Sequence, residues 1–291
     1  MRVLAVLSLK GGVGKTTVVL GLASAALRRG LRTLVIDLDP QCNATTALDP
    51  PETGAGLTDV LEDPRPNVLR AAIAPSPWGE GLDVLVGSED AEAHNHPDPT
   101  SRRLGRLSRA LSRLDDLRVI DAQFAYNLVL LDCPPSLGQL SRSAMVAADR
   151  ALLVAEPNMF AVAGVQRAFE AVQAEAERHN EQLRPLGVVV NRVRPRSHEH
   201  QFRIEELREV FGRLVLPMAL PDRLAVQQAQ GACMPIHRWD TPGAREVAIA
   251  FNVLLARVLR TTPMTTGDWF GVAPRGEHAR RDTADDRPGE P

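Results

Sequence analysis

Short apolar runs alternate with amphipathic segments along most of the chain. The apolar runs are nearly continuous, which is typical of strands that are covered on both faces of a parallel sheet. The predicted strands are residues 4–7, 33–36, 82–86, 128–131, 151–155, 186–190 and 216–220. Three sets of residues follow helical spacing: Leu104, Leu107, Leu111 and Leu114; Val162, Val165, Phe169 and Val172; and Val247, Phe251, Leu254 and Val258. The alternation predicts an α/β fold with a doubly wound, mainly parallel sheet and helices on both faces.

This pattern ends near residue 260, so we expect one domain over residues 1–260. The chain has 291 residues, of which 44% are hydrophobic, and this is enough for one large core. From residue 261 to 291 the sequence is polar, mixed in charge and rich in Pro and Gly, which predicts a disordered tail. Trp269 and Phe270 form an isolated aromatic pair there. Either this pair folds back on the domain or it is a short docking site, and the sequence leaves both open.

Composition restricts the classes of protein that fit. No apolar run reaches the ~20 residues that span a membrane, so we expect no membrane association. Cys42, Cys133 and Cys233 are widely spaced and match neither a disulfide framework nor a CxxC metal site, which favours a reducing cytoplasm. The formal charge of −2 gives no general basic surface. Any nucleic-acid binding must therefore come from a local patch or from a surface that a dimer builds.

A phosphate-binding loop follows the first predicted strand. Its glycines allow successive backbone N–H groups to turn inward, and the helix that begins near Lys15 directs its positive end to the same place. Lys15 can reach the β- and γ-phosphates of a nucleotide, and the Thr16 hydroxyl can ligate Mg²⁺. The predicted phosphate-binding residues are Lys10, Gly11, Gly12, Val13, Gly14, Lys15, Thr16 and Thr17. Leu9 stands where the general GxxxxGK[ST] pattern has its first glycine, and Lys10 is an additional cation.

Carboxylates follow two other predicted strands. Asp37 and Asp39 come after the second strand, and Asp132 comes after the strand at residues 128–131. The carboxyl ends of strands in an open α/β sheet meet at the crevice where ligands bind. We therefore expect Asp37 and Asp39 to face the phosphates, whereas a strand that ends in an acid such as Asp132 is common by itself. Two histidines in a polar loop, His94 and His96, have no third ligand at a recognisable spacing, and this disfavours a metal site there.

The loop with its extra lysine resembles the deviant Walker A box of the ParA/MinD family of ATPases, and residues 37–43 and 132–136 resemble two further boxes of that family. Cys42 replaces a glycine that the family usually has. The resemblance covers residues 2 to about 260 and is nearest to the chromosome- and plasmid-partitioning branch. It implies ATP and Mg²⁺ as cofactors, Lys10 reaching phosphates on the other subunit of a dimer, and Asp39 placing the attacking water. Asp37 and Asp132 would support the Mg²⁺ with Thr16.

The same resemblance suggests how the base is read. Asn191 would recognise adenine through its amide, Arg192 would stack on it, and the Pro221–Asp222 segment would close over it, so ATP is favoured over GTP. Asp222 could equally cap a helix that begins at Leu224. Cys133 could alternatively be a cluster ligand across a dimer, as in nitrogenase iron proteins, although it lacks the surrounding pattern of that family.

Members of the partitioning branch bind DNA without sequence preference as ATP-bound dimers. Alignment with that branch places Arg196 on one DNA-binding arginine, whereas the second falls on Ala225, with Arg223 two positions away. An arginine stripe of Arg102, Arg106, Arg109 and Arg113 is a weaker candidate, because such stripes are usually solvated helix faces. Two functions remain. One is a DNA-associated ATPase switch with a ParB-like activator, cytoplasmic and associated with the nucleoid; the other is an orphan ParA-like ATPase that recruits a protein partner with weak or absent DNA binding.

Overall fold

The computed structural model describes residues 1–260 and contains an eight-stranded sheet within that range. The strands are β1 (Arg2–Leu7), β2 (Thr33–Asp37), β3 (Ile73–Pro75), β4 (Leu82–Leu85), β5 (Leu128–Asp132), β6 (Arg150–Ala155), β7 (Arg184–Val193) and β8 (Val215–Pro221). Their order across the sheet is β3-β4-β2-β5-β1-β6-β7-β8. All neighbouring pairs are parallel except β3 with β4. The predicted α/β class and doubly wound sheet are confirmed.

Helices cover both faces of this sheet. Over the same residues they are α1 (Lys15–Arg28), α2 (Asn43–Leu48), α3 (Leu57–Glu62), α4 (Pro66–Ala71), α5 (Ser101–Ser112), α6 (Leu114–Ile120), α7 (Gln139–Ala147), α8 (Ala161–Arg178), α9 (His198–Phe211), α10 (Leu224–Gly231) and α11 (Pro242–Leu259). Short 3₁₀ turns lie at Glu89–His94, Ala122–Phe124, Gly212–Leu214 and Ile236–Arg238. The predicted disordered tail, with Trp269 and Phe270, lies outside the described residues.

The central strands explain why the apolar runs are continuous. In β1, Val3, Ala5 and Leu7 pack into a core with α3 to α9, whereas Leu4 and Val6 pack into a second core with α1, α2, α10 and α11. A strand covered on both faces needs apolar residues at successive positions. All seven predicted strands are present, and β3 is an additional strand of three residues that the apolar pattern does not reveal.

Two predicted elements have different boundaries. The leucines at 104, 107, 111 and 114 do not form one helix, because α5 ends at Ser112 and Leu114 begins α6. The strand predicted to end at residue 190 continues to Val193, so Asn191 and Arg192 lie inside β7 and not after it. Arg192 has a positive φ of 55°, which marks an irregular backbone at this end of the strand.

Close packing of α1 against α11 gives a prediction about stability. A Cβ at Gly21 of α1 would lie 2.1 Å from the Phe251 ring of α11. Gly21→Ala should therefore lower the free energy of unfolding by about 1–3 kcal/mol, as overpacked core substitutions do. Gly164→Ala in α8 is the matched control, because a Cβ there meets nothing within 4 Å. That control should raise the free energy of unfolding by about 0.5–1 kcal/mol through helix propensity. Urea unfolding measures both, and changes of the same sign would contradict this packing.

Candidate functional site

A glycine-rich loop between β1 and α1 has the backbone geometry of a phosphate cradle. Gly12 and Gly14 adopt φ values of 78° and 89°, and Gly14 is the N-cap of α1. A Cβ at Gly14 would lie 2.3 Å from the Asn191 amide nitrogen, so the position requires glycine. A Cβ at Gly11 or Gly12 would meet nothing within 4 Å, so no other part of the chain packs closely against these two positions. The amino end of α1 adds a positive dipole to this space.

The only two lysines of the chain stand in this loop, in opposite environments. Lys15 is 6% exposed, and burial lowers its pKa although the carboxylates of Asp132 and Asp39 oppose that change. Lys10 is exposed, and its backbone N–H donates to the Ser8 hydroxyl over 3.2 Å. Lys15 is therefore directed into the chain's own site, whereas Lys10 is available to a group outside it.

Two carboxylates meet beside Lys15. Asp37 and Asp132 are the last residues of β2 and β5, and the parallel register pairs them directly. Both are fully buried. Asp37 accepts a backbone N–H from Thr45 over 2.8 Å and a longer one from Asp39 over 3.3 Å. Neither carboxylate oxygen of Asp132 has a hydrogen-bond partner among the described residues. Buried acceptors without donors are rare and mark a place where a further group fits.

Asp37 and Asp132 also place more negative charge in this buried position than the neighbouring Lys15 can compensate. Burial raises the pKa of Asp37 to about 6 and, with Asp37 close by, raises the pKa of Asp132 well above its usual range. The nearby Thr16 hydroxyl, although outside hydrogen-bond geometry, and the Lys15 ammonium offset part of the rise in the pKa of Asp132. A divalent cation would supply the missing positive charge, and carboxylate and hydroxyl oxygens are the ligands that Mg²⁺ prefers. The residues present therefore fit a Mg²⁺ ion.

Asp39 lies just after this pair and is 8% exposed. It accepts a hydrogen bond from the Gln41 backbone N–H over 3.1 Å. Cys42, which occupies the glycine position of the family pattern, has a φ of 52° and caps α2. The left-handed backbone explains why glycine suits this position, and the cysteine adopts it at some cost.

The two residues predicted to read adenine contact the phosphate loop. The Asn191 amide is buried and donates to the Val13 carbonyl over 2.8 Å. The Arg192 guanidinium donates to the Gly12 carbonyl over 2.7 Å. In this arrangement both side chains fix the outward-facing carbonyls of the loop. Their contact with a base stays a prediction.

Pro221 and Asp222 lie at the end of β8. The Asp222 carboxylate accepts a hydrogen bond from the Arg194 guanidinium over 2.7 Å. The N-cap of α10 is Arg223, whose side chain makes no capping hydrogen bond, so the alternative capping role of Asp222 is wrong. Closure of this segment over a base stays a prediction.

Three residues around the site that were not predicted, Thr45, Gln230 and Glu156, make contacts that support it. Thr45 donates its backbone N–H to Asp37, and its hydroxyl accepts the Gly87 N–H over 2.9 Å. Gln230 of α10 donates its amide to the Thr17 hydroxyl over 3.1 Å. Glu156 lies 3.7 Å from the Arg192 guanidinium. Of these, only Thr45 lies close in sequence to a predicted site residue, six positions after Asp39.

The two candidate DNA-binding arginines differ sharply. Arg196 is exposed and has neither a hydrogen bond nor an ion pair within residues 1–260. Arg223 forms a two-pronged ion pair with Glu246 of α11, with distances of 2.7 and 2.9 Å. Ala225 is buried and contributes no surface. The arginine stripe on α5 is partly occupied too, since Arg109 donates to the Arg102 carbonyl over 2.9 Å.

The remaining sequence alternatives gain no support. Cys133 is fully buried and its Sγ lies 3.7 Å from the Leu131 carbonyl, so the thiol is not at a surface that a second copy could share a cluster with; burial also raises the pKa of this thiol well above its usual range. His94 lies 3.5 Å from Glu62. Among the described residues, no group of three or more His, Cys, Asp or Glu side chains could hold a metal without further ligands. No helix within residues 1–260 has the length and apolar character needed to cross a membrane.

Comparison with known proteins agrees with this geometry. A family model described as an AAA domain matches residues 1–185. The chain is 33% identical over 243 residues to the chromosome partitioning protein ParA of Caulobacter vibrioides, which covers 82% of this chain and 88% of that protein. It is 31% identical over 260 residues to the chromosome-partitioning ATPase Soj of Thermus thermophilus, which covers 89% of this chain and 97% of that protein.

The fold is also similar to that of a solved structure that contains nucleotide and metal. Cobyrinic acid a,c-diamide synthase from Mycobacterium smegmatis, with a bound ATP analogue and magnesium, superimposes with a TM-score of 0.70 at 27% identity and covers 91% of this chain and 100% of that one. The glycine loop, its two lysines and the paired carboxylates thus occur in a chain that is similar throughout to ParA and Soj proteins. This chain belongs to the ParA/MinD family of deviant Walker A P-loop proteins.

Proposed function

We propose that the protein is a Mg-ATP-dependent dimerisation switch that hydrolyses ATP slowly. As the ATP dimer, it binds DNA without sequence preference and so positions chromosomal or plasmid DNA or other cargo. The observation that carries this proposal is the contrast between the two lysines of one phosphate loop, one buried against carboxylates and one exposed. The names of the ParA and Soj relatives support the partitioning role.

Each residue of the site has a part in holding the nucleotide. Lys15 and the inward-facing N–H groups of the loop would neutralise the β- and γ-phosphates. Thr16, Asp37 and Asp132 would hold Mg²⁺, which spreads the negative charge of the phosphates when bound. Asp39 would orient the attacking water. Asn191 and Arg192 keep the loop in its cradle shape through the Val13 and Gly12 carbonyls.

Lys10 would couple nucleotide binding to dimerisation. If its ammonium reaches phosphates held by a second copy, ATP strengthens the dimer and the dimer strengthens ATP binding by the same free energy. Exposure of Lys10 supports this role, because a lysine that served its own site would be directed inward as Lys15 is. A ParB-like protein is the expected activator of hydrolysis.

DNA binding depends on a small set of basic residues. Arg196 is free to contact a phosphate, and two copies would lie on one dimer. The pairing of Arg223 with Glu246 favours a second candidate function, in which the ATP dimer recruits a protein partner and holds DNA weakly or not at all. Cytoplasmic location follows in both cases, and association with the nucleoid only in the first.

Substitution of the two lysines should have different effects: Lys10→Ala should impair dimerisation and Lys15→Ala should impair ATP binding. In an Asp39→Ala background, which would slow hydrolysis, ATP should double the molar mass measured by light scattering. Lys10→Ala should keep ATP binding to the monomer but lose the doubling. Lys15→Ala should weaken ATP binding itself by about 2 kcal/mol or more, roughly 30-fold, because a buried charged partner is lost. A Lys10→Ala dimer as stable as its parent, or a dimer without nucleotide, would refute the role of Lys10.

DNA binding should separate the two candidate functions. A duplex of arbitrary sequence should be retained by the ATP dimer, with affinity falling steeply with salt by about −0.9 in log–log slope per neutralised phosphate. Arg196→Gln should reduce that slope by about 2 per dimer. Arg223→Gln should reduce it by less, because the Arg223 guanidinium is held by Glu246 and is not free to contact a phosphate. If the trapped dimer retains no DNA at low salt, the protein-recruiting function is the correct one.

A further inference from the structure

The face of α11 that is turned away from the sheet has an apolar groove beside the edge strand β8. Ile249 and Val253 on α11 are 64% and 50% exposed, one helical turn apart. Pro217 and Met218 of β8 form the other wall. The groove encloses roughly 510 Å³. Burying these two neighbouring side chains under another segment would remove apolar surface from water.

The rim of this groove is basic. Four arginines line it and no acidic residue does: Arg29, Arg213, Arg257 and Arg260. None of the four forms an ion pair within residues 1–260. Among the described residues, the only hydrogen bond from the guanidinium groups of these four arginines runs from Arg29 to the Asn252 carbonyl, over 3.1 Å. An apolar floor with an unpaired basic rim fits a segment that combines aromatic and acidic residues.

The chain itself contains such a segment close to the groove. Arg260 is both a lining residue and the last described residue. Asp268, Trp269 and Phe270 follow within the next ten residues. Ten residues of extended chain can reach about 30 Å. The groove runs back along α11 from Arg257 to Ile249, which is only about 12 Å of helix.

We propose that Asp268–Trp269–Phe270 docks in the groove between α11 and β8 of its own chain. The two rings cover Ile249 and Val253, and each aromatic side chain can bury about 150–250 Å² there. The Asp268 carboxylate meets the arginine rim. This inference does not depend on the proposed nucleotide switch, because no residue of the groove belongs to the nucleotide site.

Photo-crosslinking in the full-length chain tests the docking. With p-benzoylphenylalanine in place of Phe270, irradiation should give a product of monomer mass, and peptide mass spectrometry should place the crosslink on α11 or β8 at the groove. Val253→Asp should lower the yield about tenfold. Val119→Asp is the matched control, because Val119 is 84% exposed on α6, outside the groove, and it should leave the yield unchanged.

Each other outcome overturns the proposal. A product of dimer mass would assign the groove to a second copy, and crosslinks outside the groove would place the aromatic pair elsewhere. Equal yields in Val253→Asp and the parent would show that the apolar floor is not the docking surface. If position 270 gives no crosslink and duplex DNA protects the groove from hydroxyl-radical footprinting, the arginine rim serves nucleic acid instead.

Discussion

The burial of two carboxylates side by side is the constraint on which the rest of the site depends. Parallel pairing of β2 with β5 places Asp37 directly beside Asp132, and both are removed from water. Two like charges in such a place cannot both ionise without a positive partner. Lys15 supplies one charge, but the Asp132 oxygens still lack hydrogen-bond donors. The site is therefore organised for a cation together with an anion that the loop holds.

The loop that would hold the anion is in turn fixed from β7. Asn191 and Arg192 hold the Val13 and Gly12 carbonyls, and Arg196 follows four residues later. Nucleotide site and proposed DNA-binding surface are thus adjacent in one short stretch of chain. The Arg223–Glu246 pair lies beyond β8 and joins the N-cap of α10 to α11, so a carboxylate balances the charge of Arg223, whereas Arg196 has no such partner within residues 1–260.

The sequence predicted the features that are encoded locally. Continuous apolar runs identified the buried strands, and glycines with lysines identified the loop. Features that depend on distant residues were out of reach: Asn191 and Val13 are 178 positions apart, and Arg223 and Glu246 are 23 apart. The strand β3 has three residues and pairs antiparallel at the sheet edge, too short for a periodic signal. Burial of Lys15 and exposure of Lys10 likewise depend on where the sheet carries the loop.

We propose that the carboxylate pair binds Mg-ATP in its ionised form. Calorimetric titration of the protein with preformed Mg-ATP, in buffers of different ionisation enthalpy, counts the protons released. Because the pKa of Asp37 is raised to about 6, binding at pH 6 should release about half a proton more from the wild-type chain than from Asp37→Asn, and this excess should vanish by about pH 8. Equal proton release from both chains at pH 6 would show that Asp37 does not lose a proton when Mg-ATP binds, and would overturn this assignment.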